Sequence, residues 1–462
     1  MLGTAAVLSL LLFGAYGFLR ASAPRLDGRF ALTGLSAEVT VSRDALGVPT
    51  ITGANRRDVV RALGYLHAQD RFFEMDLLRR SAAGELSDLF GPIALSVDKR
   101  YRLFRLRAVA AEVLARASPA ERELVAAYTE GVNAGLKDLG ARPFEYGVLM
   151  KRPRPWAPED SVLVIYAMYF DLQDAEDRRE SDLAVMRDVL PPALFRFLST
   201  PGTQWDAPLM GKALGTPPIP GADVVDLRKL GSPVADSRLG PGNDIVPGSN
   251  NWAVTAAHGA AGHALLANDM HLSLRVPDTW YRVQLNYPDA SAAGGRVRVT
   301  GVTLPGVGTM VAGSNGHVAW GYTNSYGDWE DLVLLHINPL NPDQYQTPDG
   351  WQNFTHHAEK IHVKGMLGGR DEVLDVRDTL WGPVIDQDHN GVWRAAHWMA
   401  ADPEATNFEL AGIEGAGNVN EAMAAANRAG MPEQNFVTAD ADGNIAWTIA
   451  GRIPLRTGYD PL

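Results

Sequence analysis

The feature that most constrains this sequence is a change of period near its middle. Across 56–198 apolar residues recur three and four apart, as at Val59, Leu63, Leu66 and then Phe73 and Leu77, the spacing of a single buried stripe on a helix. Stretches 108–139 and 158–174 behave in the same way. Ser118-Pro119, a capping serine with proline in the first helical position, restarts a helix. From Asn251 onward short β-rich runs take over, at 280–285 and 331–335 for example, separated by Gly, Asn and Pro turns. Between the halves, 199–248 is rich in Pro and Gly and weakly periodic, which predicts a linker or an excisable spacer. No internal repeat and no low-complexity tract interrupts this plan.

The chain's 462 residues suffice for two ordinary domains or one large layered one. With 42 basic against 54 acidic residues the formal charge is −12, so the protein repels phosphate backbones and nucleic acid is not an expected partner. The densest basic stretch, 99–107, interleaves its charges with Tyr101, Leu103, Phe104 and Leu106 and reads as a solvated helix face. The absence of cysteine excludes disulfides, zinc–thiolate sites and cysteine nucleophiles. Residues 2–19 carry no charge, and Ala21-Ser22-Ala23 supplies a small-residue cleavage pattern after them. Residues 1–23 therefore read as a signal peptide or an N-terminal membrane anchor, which implies a periplasmic or secreted protein. The run is slightly short of the ~20 residues that span a bilayer, and a buried N-terminal helix is the alternative.

The linker ends in Pro247-Gly248-Ser249-Asn250-Asn251-Trp252, and strands begin at once. A serine hydroxyl is a weak nucleophile unless a base takes its proton. One way to supply the base is to make the serine the first residue of a chain, because an α-amine with a pKa of about 7.7 to 8.0 works near neutral pH. That requires a breakable peptide bond before the serine, and a preceding glycine tolerates strain and leaves its carbonyl unshielded. On its own a Gly-Ser dipeptide is equally an ordinary turn.

Five blocks taken in order resemble the penicillin acylase family of N-terminal-nucleophile hydrolases, over a span from about Leu26 to the last residue. Ser249-Asn250-Asn251-Trp252 is similar to the start of that family's β-chain. Gly64-Tyr65-Leu66-His67-Ala68-Gln69-Asp70-Arg71, followed by Glu74-Met75-Asp76-Leu77 and Arg79-Arg80, resembles its α-chain signature. Ala267-Asn268-Asp269-Met270-His271-Leu272 is similar to the segment after the nucleophile. Two later blocks, beginning at Gly313-Ser314-Asn315-Gly316 and at Gln434-Asn435-Phe436-Val437, complete the match.

The resemblance implies an α+β fold, a four-layer αββα sandwich with a large helical α-chain portion. It divides the chain into α-chain 24–198, spacer 199–248 and β-chain 249–462, the last lacking the long C-terminal part that relatives carry. It implies amide hydrolysis of a small-molecule N-acyl compound, such as a β-lactam side chain or an acyl-homoserine lactone. Ser249 would be the nucleophile, and the two cleaved chains would stay together as a heterodimer. The oxyanion would be held by the backbone N–H of Asn324 and the side-chain amide of Asn435. His271 would orient the serine hydroxyl or the α-amine, with a satisfied core histidine as the plain alternative. Arg456 would help to hold the site, or else be a surface arginine at a strand end. Glu180, Asp328 and Asp331 would bind a structural calcium ion bridging the two chains, a solvated acidic turn being the alternative.

Other chemistries fail on spacing. His356, His357 and His362 cluster around Glu359 without the His-Glu-x-x-His pattern of zinc proteases, and a histidine-rich surface loop explains them. Ala312 stands where a Gly-x-Ser-x-Gly elbow at Ser314 needs glycine, and there is no Gly-rich phosphate loop. Three rivals stand beside self-processing: an unprocessed relative acting as a binding protein, an incomplete enzyme, and a serine hydrolase with a histidine base that needs no cleavage.

Overall fold

The computed structural model describes residues 2–173, 176–208, 211–226, 228–229, 248–260, 262–272, 274–366 and 368–458. In its first half α1 (Leu2–Ala21) precedes the strands β1 (Thr40–Arg43) and β2 (Pro49–Thr52). There follow α2 (Arg56–Ala83), α3 (Ser87–Phe90), α4 (Leu95–Arg102), α5 (Leu106–Arg116), α6 (Pro119–Asp138), α7 (Phe144–Val148), α8 (Pro158–Gln173), α9 (Glu176–Val189) and α10 (Pro192–Leu198). The described residues of the spacer form no helix or strand before Gly248, and 230–247 lie outside the described residues. The second half is strands, with the short α11 (Val419–Ala426) among them. These are β3 (Gly248–Val254), β4 (Leu265–His271), β5 (Tyr281–Pro288), β6 (Arg296–Thr303), β7 (Met310–Ser314), β8 (Val318–Asn324), β9 (Glu330–Leu334), β10 (Gln344–Thr347), β11 (Gly350–Asn353), β12 (Thr355–Gly365), β13 (Gly368–Asp378), β14 (Val384–Gln387), β15 (Trp393–Trp398), β16 (Gln434–Asp440) and β17 (Ile445–Ala450).

The α+β class is as expected. The main sheet has eight strands in the order β1-β2-β5-β6-β7-β8-β16-β17, parallel only between β2 and β5. The two-stranded β3–β4 unit is a separate short sheet, and it packs against β8. Strand alternation gives the main sheet its buried face: Tyr281, Val283, Leu285 and Tyr287 are buried on β5 while the residues between them are more open.

Helix α2 covers that face. It starts where the Asn55 side chain accepts from the Asp58 N–H, and it ends at Gly84 in the left-handed conformation with φ 61°. Its partner α6 lies so close that a Cβ on Gly131 would run into the Arg61 carbonyl, so glycine is required there. His67, fully buried, joins the layers: Nδ1 lies 2.7 Å from the Tyr128 hydroxyl on α6 and Nε2 3.1 Å from Thr303 Oγ1 on β6. Burial first, then the Arg71 charge, push this imidazole down to about 3, so it stays neutral. Further along α2, Asp76, Arg79 and Arg80 form a buried ion network with Asp160 of α8 and Asp88 of α3. The α-chain signature thus acts here as a fastening between helices and sheet.

Two readings of the sequence need correction. The basic stretch 99–107 is no solvated face. Lys99 pairs with Glu372 at 2.8 Å, Arg105 with Glu359 at 3.0 Å and Arg107 with Glu85 at 2.7 Å. The first two of these carboxylates lie on the long hairpin β12–β13, more than 250 residues away, which no local pattern reveals. The histidine cluster is on a strand of that same hairpin, not on a loop: His356 sits between Asp343 and Asp375, and His362 meets Asp371. At the N-terminus α1 ends in a contact with the α6–α7 connection, where Ala141 N–H donates to the Ala21 carbonyl. Among the described residues no helix is long and apolar enough to cross a membrane.

Candidate active site

Strand β3 begins at Gly248, the last residue of the expected spacer, and pairs antiparallel with β4 in the register Gly248–His271, Ser249–Met270 and Asn251–Asn268. Ser249 is half-buried, and its hydroxyl donates to the Gly248 carbonyl oxygen at 2.7 Å. The nucleophile expected from the sequence is therefore hydrogen-bonded to the carbonyl of the peptide bond that self-processing would break.

One side chain ties the hairpin to β8 of the main sheet. Strands β7 and β8 pair at Gly313–Trp320 and Ser314–Ala319, and beyond Trp320 no strand pairs with that side of β8 among the described residues. Asn268 takes the partner's place. Its Nδ2 donates to the Tyr322 carbonyl at 2.8 Å, and its Oδ1 accepts from the Tyr322 N–H at 3.3 Å, so the amide behaves as a short piece of strand. Nδ2 also reaches the Asn250 carbonyl at 3.1 Å. The approach requires Gly321, where a Cβ would lie 2.7 Å from three atoms of the Asn268 side chain.

Asn324 and Asn435 are brought together at the facing ends of β8 and β16, where Gln434 pairs with Asn324 and Asn435 with Thr323. Asn435 Nδ2 donates to the Asn324 carbonyl at 3.2 Å, and its Oδ1 accepts from the Trp447 indole at 3.1 Å. An amide NH2 has two hydrogens, so this arrangement orients the group while leaving a second donor. The Asn324 side chain is held too, by the Leu172 carbonyl at 3.1 Å and by Gln434 Nε2 at 3.0 Å.

A cavity of about 110 Å³ opens beside Ser249. Helix α8 contributes Ile165, Met168 and Leu172 to it, three and four apart on one face, and Met270 and Leu272 enter from the β4 side of the β3–β4 hairpin. Tyr322 and Gln434, sequence neighbours of the two asparagines, line it as well, and no charged side chain does among the described residues.

His271 lies elsewhere. It stands opposite Gly248, one position off Ser249, so strand alternation sends its ring to the other face of the hairpin. There it is exposed, with Nε2 2.8 Å from Asp269 Oδ2 and Nδ1 3.7 Å from where a Gly248 Cβ would stand. The geometry pairs this histidine with Gly248 and not with the serine hydroxyl.

Glu180, Asp328 and Asp331 do converge, but Arg456 is among them. Its guanidinium donates to Asp331 Oδ1 at 2.8 Å, to the Asp328 carbonyl at 2.9 Å and to Asp328 Oδ1 at 3.3 Å. Burial and then the charge of Asp328 hold the Glu180 carboxyl above its ordinary range. Arg456 thus joins the acidic cluster and not Ser249. A fixed cation already bridges two of the three carboxylates, and among the described residues no group of three or more His, Asp or Glu has metal-binding geometry. As arranged, these residues do not fit a calcium ion, which would have to displace the guanidinium.

The family model for penicillin amidase matches residues 38–462. The chain belongs to the penicillin amidase family. It is 30% identical to the acyl-homoserine lactone acylase QuiP of Pseudomonas aeruginosa, over 94% of this chain and 52% of that one. It is 29% identical to the penicillin acylase 2 proenzyme of Pseudomonas sp. strain SE83, over 95% of this chain and 55% of that one. The chain spans about half the length of the curated relatives it matches. Among solved structures it is similar to the thermostable penicillin G acylase of Alcaligenes faecalis, with 23% identity, 45% of this chain and 36% of that one covered, and a TM-score of 0.40.

Within this member of the family, the role of Asn268 in fastening the β3–β4 hairpin was not evident from the sequence. The available signal was a polar residue two positions before Met270, on the inward face of a strand. The places of Tyr322 and Trp280 on the cavity wall were not evident either, since they follow from the register of distant strands.

Proposed function

We propose that this chain is a self-processing amidase that hydrolyses linear amides of N-acyl compounds. In processing, water is added across the Gly248–Ser249 bond, leaving a carboxylate on Gly248 and a free α-amine on Ser249. In turnover that amine takes the proton of Ser249 Oγ as the oxygen bonds to the amide carbon of the substrate. The Asn324 N–H and the Asn435 amide hold the oxyanion. The leaving nitrogen takes the proton, and water then releases the acid from the acyl-serine. The apolar cavity beside Ser249 suits the acyl group, and its lack of charge favours a neutral one.

The reading rests above all on the Ser249 hydroxyl, which meets the Gly248 carbonyl at the mouth of an apolar cavity. Contacts between the halves, such as His67 with Thr303 and Arg56 with Glu414 at 3.0 Å, support a heterodimer of 24–198 and 249–462 after loss of the spacer. Residues 1–23 would serve as an export signal or an anchor. The test is Ser249→Ala, which should stay a single uncut chain with no amidase activity. A cleaved and active alanine variant would overturn the mechanism.

A further inference from the structure

Strand β8 ends at Asn324, and the pairing there decides where that residue's N–H points. The Ser325 N–H donates to the Glu433 carbonyl at 3.3 Å, which makes Asn324 and Gln434 opposite members of a non-hydrogen-bonded pair between β8 and β16. In such a pair each backbone N–H points away from the partner strand, while the two side chains come close. The Asn324 N–H therefore leaves β8 on the same edge as the Tyr322 N–H two residues earlier, which Asn268 caps.

The Asn324 side chain is gripped at both ends. Its Nδ2 donates to the Leu172 carbonyl at 3.1 Å, one of the last carbonyls of α8, which the helix itself leaves unpaired. Its Oδ1 accepts from Gln434 Nε2 at 3.0 Å. Gln434 is buried, and Nε2 also donates to the Glu433 carbonyl at 2.8 Å, so both amide hydrogens meet acceptors. Turned over, the amide would set its own oxygen against those two, so it has one orientation. The Glu433 carbonyl is held in turn by the Ser325 hydroxyl at 2.8 Å.

We propose that Gln434 is a positioning residue for amide hydrolysis, which holds the Asn324 side chain against α8 and thereby aims the Asn324 N–H at the oxyanion. The inference rests on the amidase reading, in which that N–H is an oxyanion donor. A donor aimed at charge that develops only in the transition state affects kcat more than KM. The chemistry of position 434 also supplies a signature that packing alone would not. A Gln434→Glu carboxylate is acceptor-only and would face two oxygens, Asn324 Oδ1 and the Glu433 carbonyl, whereas its protonated form has an O–H to donate. That variant should therefore repair itself in acid.

The experiment uses the full chain after it has cut itself, assayed on the p-nitroanilides of acetic, hexanoic and decanoic acid. The parent is compared with Gln434→Met, Gln434→Glu, Asn324→Ala and the Gln434→Met/Asn324→Ala double, each with its melting temperature. Gln434→Met should lose about tenfold in kcat while KM moves by less than about twofold. Gln434→Glu should show a similar loss near pH ~8, and its kcat relative to the parent should climb as pH falls toward ~5.5. The double should be no more than about twofold slower than Asn324→Ala alone, because the glutamine acts through that side chain. Parental kcat in Gln434→Met, or a double variant that suffers the product of the two single losses, overturns the assignment. If Gln434→Met folds poorly, Gln434→Glu decides, and a ratio to the parent that ignores pH overturns it. A cut parent that hydrolyses none of the three anilides sinks the amidase reading itself, an outcome visible before any variant is made.

Discussion

The hairpin that carries Ser249 should depend on Asn268, and the dependence can be worked out from the contacts. Asn268→Ala removes the donor 2.8 Å from the Tyr322 carbonyl and the acceptor 3.3 Å from its N–H, leaving both backbone groups of a buried residue unpaired. Each such loss costs on the order of 1–3 kcal/mol, and the second bond is long, so about 3 kcal/mol is expected in all. The lost bond to the exposed Asn250 carbonyl adds little, because water replaces it. If that energy holds the hairpin in its reactive position, processing should slow by about two decades. Gly321→Ala attacks the same contact from the other side, since its Cβ would stand 2.7 Å from the Asn268 side chain. The double variant should then lose less than the sum of the singles, because removing the asparagine removes the clash. The assay is the rate of appearance of cleaved chains by intact mass, with thermal unfolding of each variant alongside. Processing at the parental rate in Asn268→Ala, or strictly additive losses, would refute the reasoning.

Three further outcomes follow from the site and its frame. Asn435→Ala, studied on chain already cut, should lose about 10²- to 10³-fold in kcat/KM for an amide substrate, as expected for one oxyanion donor; unchanged turnover would remove Asn435 from the mechanism. At Glu85, burial pushes the carboxyl up, but Arg107 and Arg154 outweigh it and draw it down from 4.5 to about 2. A depressed folded value stabilises the protein above pH ~4.5 and is lost as pH falls toward 2, a swing of at most about 3 kcal/mol before solvent screening at the two partly exposed arginines. Glu85→Gln should flatten the melting temperature between those pH values, and an unchanged acid limb would contradict the assignment. Finally, the parent should be indifferent to calcium and to chelator, whereas Arg456→Ala, which uncovers Asp328 and Asp331, should gain thermal stability on adding calcium. A parent that melts earlier in chelator would show that the ion, and not the guanidinium, holds that cluster.

Local features of the fold were legible in the sequence because their causes are local. The stripe at Val59, Leu63 and Leu66 became α2, and Ser118 became a capping box with Glu121 at the head of α6. The alternation in 280–285 became β5. Strand β3 was legible too, because the Pro/Gly-rich run gives way there to residues that read as a strand. What stayed hidden depends on register and on distant partners. His271 was marked by its residue type and its distance from Ser249 along the chain, but only the β3–β4 pairing shows that it faces away from the serine hydroxyl. The charges of 99–107 could not announce carboxylates on a hairpin that arrives much later in the chain. Arg456 and the acidic residues were each noticed, but their mutual pairing crosses 125 residues or more.

The central claim is that the bond before Ser249 is cut and frees its amine. The most direct measurement is the intact mass and N-terminal sequence of the purified protein. The expected result is a chain that begins Ser-Asn-Asn-Trp-Ala, held to a helical partner from the first half. A single uncut chain, stable for days at neutral pH, would contradict it.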